Sequence, residues 1–463
     1  LHAAHAADAN VQHESAATPS APHDAPTPSA RRAPTATADP VLEQLIAQSL
    51  AARPEIASAR ANVQVERERV TQAGAWPDPM LQVGIQNDGF TSIEVGRMPT
   101  SYYSLMASQT IPWPGKLGLR QDVLDSGAKQ ATCSVARARL STEAQVRRAY
   151  LGLLLARDRL EILARLQRVW ARSFEIARAR YEAGQGVLSD VLRSQLELQR
   201  LKQRRLTLDV EERLQIQQLN RLRAHPLLEP IATSLHVRDL PEVKASDESL
   251  RLAVARELSP ELASARLRVA QNDKAMALAK KSYYPDLTVS AGIMYRGTMM
   301  PPMWLLTVGA PVPIFSGSKQ SRAVAESESR LKATHLDSDE IEQVLRLRVQ
   351  ERQATIAALE DTARLYRTGL LEQSALTIDN TLAQYVVGRV ALAAVLEANA
   401  GYLADEESYL QILADAQLVK IAAGEISLEP TATSSTPAMK TQGMASSASN
   451  GSVNGSSSAP SAM

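Results

Sequence analysis

The chain repeats itself, and this limits the folds open to it more than any other feature. Residues 53–60 read RPEIASAR and residues 259–266 read SPELASAR. Trp76-Pro77-Asp78 is answered by Tyr284-Pro285-Asp286, and Gly84-Ile85 by Gly292-Ile293. Tyr181 opens YEAGQGVLSDVL and Tyr385 opens YVVGRVALAAVL, while Ile111-Pro112 is matched by Val312-Pro313. Chance could supply one such segment; several in the same order mean duplication. The expected organisation is a first copy over 40–222, a linker over 223–246 and a second copy over 247–425.

Proline placement tells what each copy contains. No proline falls between Pro114 and Pro226, or between Pro313 and Pro430, so both blocks are free to be helical. Each is broken by glycine, at Gly184 to Gly186 and at Gly388. Each block therefore reads as one very long helix, a tight reversal and a shorter return helix. The long arms, 117–180 and 319–383, would extend on the order of 90–100 Å at 1.5 Å per residue. Leu163, Leu166, Trp170, Phe174, Ala177 and Tyr181 follow helical packing spacing, and Ile356, Leu359, Ala363, Tyr366 and Leu370 follow a strict heptad seam.

Composition agrees with long helices: hydrophobic residues are 44% and aromatics only 4%. Lys plus Arg is 51 against 50 for Asp plus Glu, so no basic excess recommends nucleic acid as a partner. Cys133 is the sole cysteine, which excludes an intrachain disulfide and a cysteine-rich metal centre. No apolar run is long enough for a transmembrane helix. The Ala/Pro/His-rich segment 1–39 and the Ser-rich tail 426–463 are expected to be disordered. Leu1 is not preceded by an apolar leader, so an exported protein would already have lost its signal peptide. With no cysteine at that start, no lipid anchor is expected.

Before each long arm lie two segments with a period of two, forming hairpins at about 80–111 and 286–311. Leu81, Val83 and Ile85 alternate with Gln82, Gly84 and Gln86. Leu287, Val289, Ala291, Ile293 and Tyr295 alternate with Thr288, Ser290 and Gly292. The partner strands set Tyr103, Leu105 and Ala107 against Ser104, Ser108 and Thr110, and Trp304, Leu306 and Val308 against Thr307 and Gly309. Each strand is expected to have about 9–11 residues, enough to span a bilayer when tilted. Trp76, Tyr102, Tyr103, Trp113, Tyr283, Tyr284, Tyr295 and Trp304 lie in or beside these hairpins, as interfacial girdles would require. A small soluble β-layer capped by aromatics is the competing reading. If the strands are in lipid, four cannot close a barrel, and an open edge cannot face hydrocarbon. Several chains must then pool their strands: two would give 8 and three would give 12, and the larger barrel could leave a passage.

Two copies of helix, hairpin, long helix and return helix, with Tyr-x-x-Gly at each reversal, resemble the TolC family of outer-membrane efflux proteins over roughly residues 40–425. AWPDPMLQVGI and TIPWPGKLGLRQ look closest to its heavy-metal branch, the cobalt–zinc–cadmium and copper–silver systems. The resemblance implies a mainly α fold with a small β part: a coiled-coil helical barrel in the periplasm and a trimeric, 12-stranded transmembrane β-barrel. It implies a homotrimer in outer-membrane lipid that docks a periplasmic adaptor protein and an inner-membrane efflux pump. It also places function at the periplasmic tip, where Tyr181, Gly184, Asp190 and Arg193 occupy the first reversal and Tyr385, Gly388, Arg389 and Glu397 the second. Ala394 stands where the family's founding member has an aspartate, and Glu397 stands where a second is found, so the acidic ring is thin and strong cation selectivity is in doubt. Each of these charges could equally be a solvated helix end.

No catalytic constellation is present: P-loop, nucleophile-elbow and dinucleotide patterns are absent from any strand–turn–helix context, so no enzyme and no cofactor are expected. Met294, Met299, Met300 and Met303 crowd the second hairpin and offer soft thioether donors, but a loop of flexible apolar residues is the favoured account of them. His2, His5, His13 and His23 lack metal-site spacing, and no metal site is assigned. The rival architectures are a soluble coiled-coil scaffold and a periplasmic adaptor; the duplication argues against the adaptor.

Overall fold

The computed structural model describes residues 39–431. The first copy holds α1 (Pro40–Ala52), α2 (Pro54–Gly74), β1 (Met80–Gln86), β2 (Tyr102–Ile111), α3 (Lys116–Glu182) and α4 (Leu188–Leu222). The second holds α5 (Glu248–Leu258), α6 (Pro260–Lys280), β3 (Leu287–Tyr295), β4 (Met303–Gly309), α7 (Gln320–Leu365), α8 (Leu371–Val386) and α9 (Leu392–Glu425). The repeated octapeptides set the α1/α2 and α5/α6 boundaries. Pro54 and Pro260 begin the second helix of each pair, where a missing N–H costs nothing. Ser259 caps α6 by accepting from the N–H of Leu262 at 3.2 Å.

α3 runs 67 residues, on the order of 100 Å. The second arm is equally long, from Gln320 to Val386, but it is not one α-helix: a π-helical turn, Tyr366–Leu370, separates α7 from α8. The heptad seam predicted an unbroken helix here. Ile356 and Leu359 are buried as that seam requires, whereas Leu370 is 43% exposed. The wider π turn slips the phase of the seam, so the apolar stripe leaves its register at that point. In the first arm Leu163, Leu166, Trp170 and Ala177 are buried, while Tyr181 is exposed.

The four strands form one antiparallel sheet in the order β1-β2-β3-β4; β2 and β3 have the expected length at 10 and 9 residues, whereas β1 and β4, each paired on one side only, stop at 7. Neighbouring helices keep that lateral order: α2 packs on α3, α3 on α6, and α6 on α7. Each strand therefore continues into its own helix. Towards the reversals α3 packs on α4 and on α9, and α9 on α8. The main core sits where these layers meet. Val146, Tyr150, Leu153 and Leu154 of α3 pack with Leu219 and Leu222 of α4, with Leu45 and Ile46 of α1, and with Leu410 of α9.

Two boundaries differ from the sequence expectation. Asp39, assigned to a disordered segment, is 7% exposed; it caps α1 through the N–H of Val41 and accepts from the Tyr150 hydroxyl. Residues 426–431, assigned to a disordered tail, lie along α7. Arg352, whose pKa burial lowers to about 10, donates to the carbonyls of Ser427 at 2.5 Å and Glu429 at 3.3 Å, and Arg348 donates to that of Leu428 at 2.8 Å. Fixed arginine donors satisfy the segment's carbonyls, and Ile426 enters the core. The linker is also packed, burying Ile231 and Val237. Residues 1–38 and 432–463, including His2, His5, His13 and His23, lie outside the described residues.

Candidate functional site

The two reversals share one backbone solution. At the end of α3, Gly184 takes φ +71°, its N–H bonds the Tyr181 carbonyl at 3.0 Å, and the Gln185 N–H bonds the Arg180 carbonyl at 2.8 Å. At the end of α8, Gly388 takes φ +77°, its N–H bonds the Tyr385 carbonyl at 3.0 Å, and the Arg389 N–H bonds that of Gln384 at 2.9 Å. Both are Schellman closures, whose left-handed residue is glycine because a Cβ there is strained. The repeated Tyr-x-x-Gly is thus a helix stop used twice.

The two tyrosines do not share an environment. Tyr385 is 3% exposed, packed with Leu392 and Val395, while Tyr181 is 45% exposed. Burial raises the Tyr385 phenol above its usual pKa, the Asp190 carboxylate adds to the rise, and Arg180 opposes it. Arg180 joins the reversals: its Nη1 donates to the Tyr385 carbonyl at 2.6 Å, and its guanidinium stacks 5.2 Å from the centre of the Tyr385 ring. It also reaches the Gln185 carbonyl at 3.5 Å. The sequence reading missed Arg180. It lies beside the aligned Tyr181, and only the packing of α3 against α8 reveals its partner.

Asp190 stands in the first turn of α4, where a carboxylate suits the positive end of the helix. Ser194, fully buried, donates to its main-chain carbonyl at 2.9 Å. Arg193, Arg389 and Glu397 are exposed and, among the described residues, make no ion pair within the protomer. The geometry brings Arg180 to Tyr385 and Gly388, with the Asp190 charge acting on the Tyr385 phenol, and leaves Tyr181, Arg193, Arg389 and Glu397 exposed.

The aromatics fall at the two ends of the sheet. At the helical end, Trp113 and Tyr284 stack with centroids 5.2 Å apart, beside exposed Trp76 and Tyr283. Lys116 Nζ donates to the Tyr284 carbonyl at 2.7 Å and to Asp286 at 2.8 Å, so one copy is pinned to the other below the sheet. At the loop end, Tyr103, Tyr295 and Trp304 occupy one face: Tyr103 pairs with Tyr295, and Ile293 with Trp304. That face continues through Leu81, Val83, Ile85, Leu105, Leu306 and Val308, and its large side chains are exposed. Tyr102 does not belong with them. Register turns it to the opposite, polar face, where its hydroxyl donates to Gln86 at 2.7 Å.

Among the described residues one group of potential metal donors converges: Asp158, Glu161 and His236. Both Asp158 oxygens are already engaged, one by His236 Nδ1 at 2.6 Å and the other by the Val237 N–H at 2.8 Å. The group fastens the linker to α3.

AprF of Pseudomonas aeruginosa, an alkaline protease secretion protein, is 27% identical over 248 residues, 48% of this chain. The matched region spans about half, 50%, of that curated relative's length. Among solved structures, CusC superposes with a TM-score of 0.69 at 17% identity, covering 84% of this chain and 91% of that one; its study concerns folding and transmembrane channel formation. VceC of Vibrio cholerae, an outer membrane protein, gives a TM-score of 0.68 at 17% identity, covering 84% and 97%. These likenesses show the fold. The sequence profile described as outer membrane efflux protein matches twice, over residues 45–225 and 252–422, one match for each copy, and the chain therefore belongs to that family.

Proposed function

We propose that this chain is one protomer of a homotrimeric exit duct in the bacterial outer membrane, conducting passively what an inner-membrane pump and a periplasmic adaptor deliver. One observation carries this reading. The four-stranded sheet turns a continuous, exposed apolar face outward and pairs β1 and β4 on one side only. In hydrocarbon each unpaired peptide group costs several kcal/mol. Lipid therefore tolerates this sheet only if β4 of one copy pairs with β1 of the next, and three copies give a barrel wide enough for a passage. The long helices then form the periplasmic tunnel, and the residues of the two reversals form its gate. Arg193, Arg389 and Glu397, left unpaired within the protomer, face neighbouring subunits there.

The cargo we propose is heavy-metal cations, on the strength of the hairpin motifs AWPDPMLQVGI and TIPWPGKLGLRQ. AprF, named for protease secretion, motivates a second cargo class, an exported polypeptide. Deleting the gene and testing growth on Cu, Ag, Zn, Co and Cd salts, on a panel of drugs and for secreted protease separates these. Sensitivity to metals alone supports the metal reading; drug sensitivity alone or loss of a secreted protein overturns it.

A further inference from the structure

Of the methionines among the described residues, all but Met276 lie in the two hairpins, although helices make up most of the fold. Register gives this bias a geometry that the sequence does not display. Met80 of β1 pairs with Ser108, and Met106 of β2 pairs with Gln82 two positions on. Met106 pairs with Gly292, and Met294 of β3 pairs with Ser104, again two positions on. Met294 then pairs directly with Met303 of β4. Every strand contributes one methionine, and all four stand on the face opposite the apolar one, among Gln82, Ser104, Ser108, Ser290 and Thr307. Together they make a diagonal line that rises by two residues, about 6.8 Å along the strand, at each of two steps. Diagonal cross-strand neighbours lie within reach of long side chains, and direct neighbours are closer still.

The line has two distinct ends. Met80 is at the helical end of the sheet. Met294 and Met303 are at the loop end, and the β3–β4 loop carries Met299 and Met300 immediately beyond them. Met294 is 9% exposed, the most enclosed side chain in the sheet, whereas Met299 is 88% exposed. Leu305 shares the polar face, so apolar filling alone is admissible there; it does not explain why one flexible thioether recurs on each strand.

We propose that Met80, Met106, Met294 and Met303 form a thioether staircase along the wall of the passage, binding soft monovalent cations, Cu(I) or Ag(I), and handing them towards Met299 and Met300 at the outer mouth. This rests on the duct reading and narrows its cargo. Thioethers select soft cations and ignore Zn(II) and Co(II). Several weak sites in series favour passage, because conduction needs binding strong enough to enter and weak enough to leave. Binding and release exchange ligands only; no electron moves.

The test uses the full chain carrying C133S, which removes the free thiol that would otherwise take silver in every protein compared, purified in detergent, titrated with silver nitrate in chloride-free buffer and examined by silver K-edge absorption for Ag–S scattering. The comparison is M80L/M106L/M294L/M303L, a volume-conserving set chosen to keep the fold, with M294L/M303L as the milder variant should the full set fail to assemble. The expected result is Ag–S scattering and silver binding in the wild type that falls at least tenfold in the variant, with Zn(II) bound by neither. Equal silver binding by both proteins, or none by either, overturns the staircase. Growth of the deletion strain carrying each gene separates this from the duct reading. A wild-type gene that restores metal tolerance while its protein binds no silver leaves the metal duct standing without the staircase. A wild-type gene that restores no metal tolerance removes the metal cargo altogether.

Discussion

Arg180 donates from Nη1 to the main-chain carbonyl of Tyr385 at 2.6 Å, tying the end of α3 to the end of α8 across the two copies. The same guanidinium lies over the Tyr385 ring. A charged hydrogen bond with cation–π support is worth on the order of 1–2 kcal/mol at a half-exposed site. Arg180→Gln should shift the closed-to-open balance of the reversals by about five- to thirty-fold. Single-channel recordings in planar bilayers read this as longer open dwell times; unchanged dwell times would remove Arg180 from the proposed gate.

The two glycines give a graded pair. Gly184→Ala meets nothing within 4 Å and suffers only the left-handed backbone, about 1–2 kcal/mol. Gly388→Ala suffers the same strain, and its Cβ would also stand 3.2 Å from Arg180 Nη2. Limited proteolysis should therefore cut Gly388→Ala faster at the reversals than Gly184→Ala, and both faster than the wild type.

Charge placement on the sheet should read out which face meets lipid. Leu306→Arg puts a cation on the apolar face, at about 2–4 kcal/mol if that level is near the bilayer centre, whereas Thr307→Arg puts it on the polar face at little cost. The two sites are adjacent, so position along the strand is controlled. Heat-modifiable mobility on gels should show loss of assembled protein for Leu306→Arg alone.

His236 supplies a pH dependence. Its hydrogen bond to Asp158, with the charges of Asp158, Glu161 and Asp239, raises its pKa against a smaller opposing effect of burial. Raised above the unfolded value near 6.5, it stabilises the folded chain fully below that value, and the contribution disappears as pH rises through the folded pKa. Hydrogen exchange of the linker should be slower, relative to His236→Gln, at pH 6 than at pH 9, and the difference between the two proteins should vanish at the higher pH.

Much of the fold is legible in the residues because its signals are local. Repeated octapeptides, proline-free stretches and two Tyr-x-x-Gly stops each fix backbone conformation within a few residues, which is why the mainly helical, duplicated fold could be read directly. Family membership bears out the reading as an outer-membrane efflux protein. What escaped depends on partners distant in sequence. The face of Tyr102 and the methionine diagonal follow from register across four strands, Arg180 finds its acceptor about two hundred residues away, and residues 426–431 are ordered by arginines of α7. The π turn at Tyr366–Leu370 interrupts an intact heptad, so no spacing announces it.

A sheet with two open edges becomes a membrane wall only when copies join. Native mass spectrometry of the protein extracted from outer membranes in detergent tests it most directly. A homotrimeric duct gives a species three times the protomer mass that falls to the protomer on heating. A single chain, stable in buffer without detergent, would contradict it.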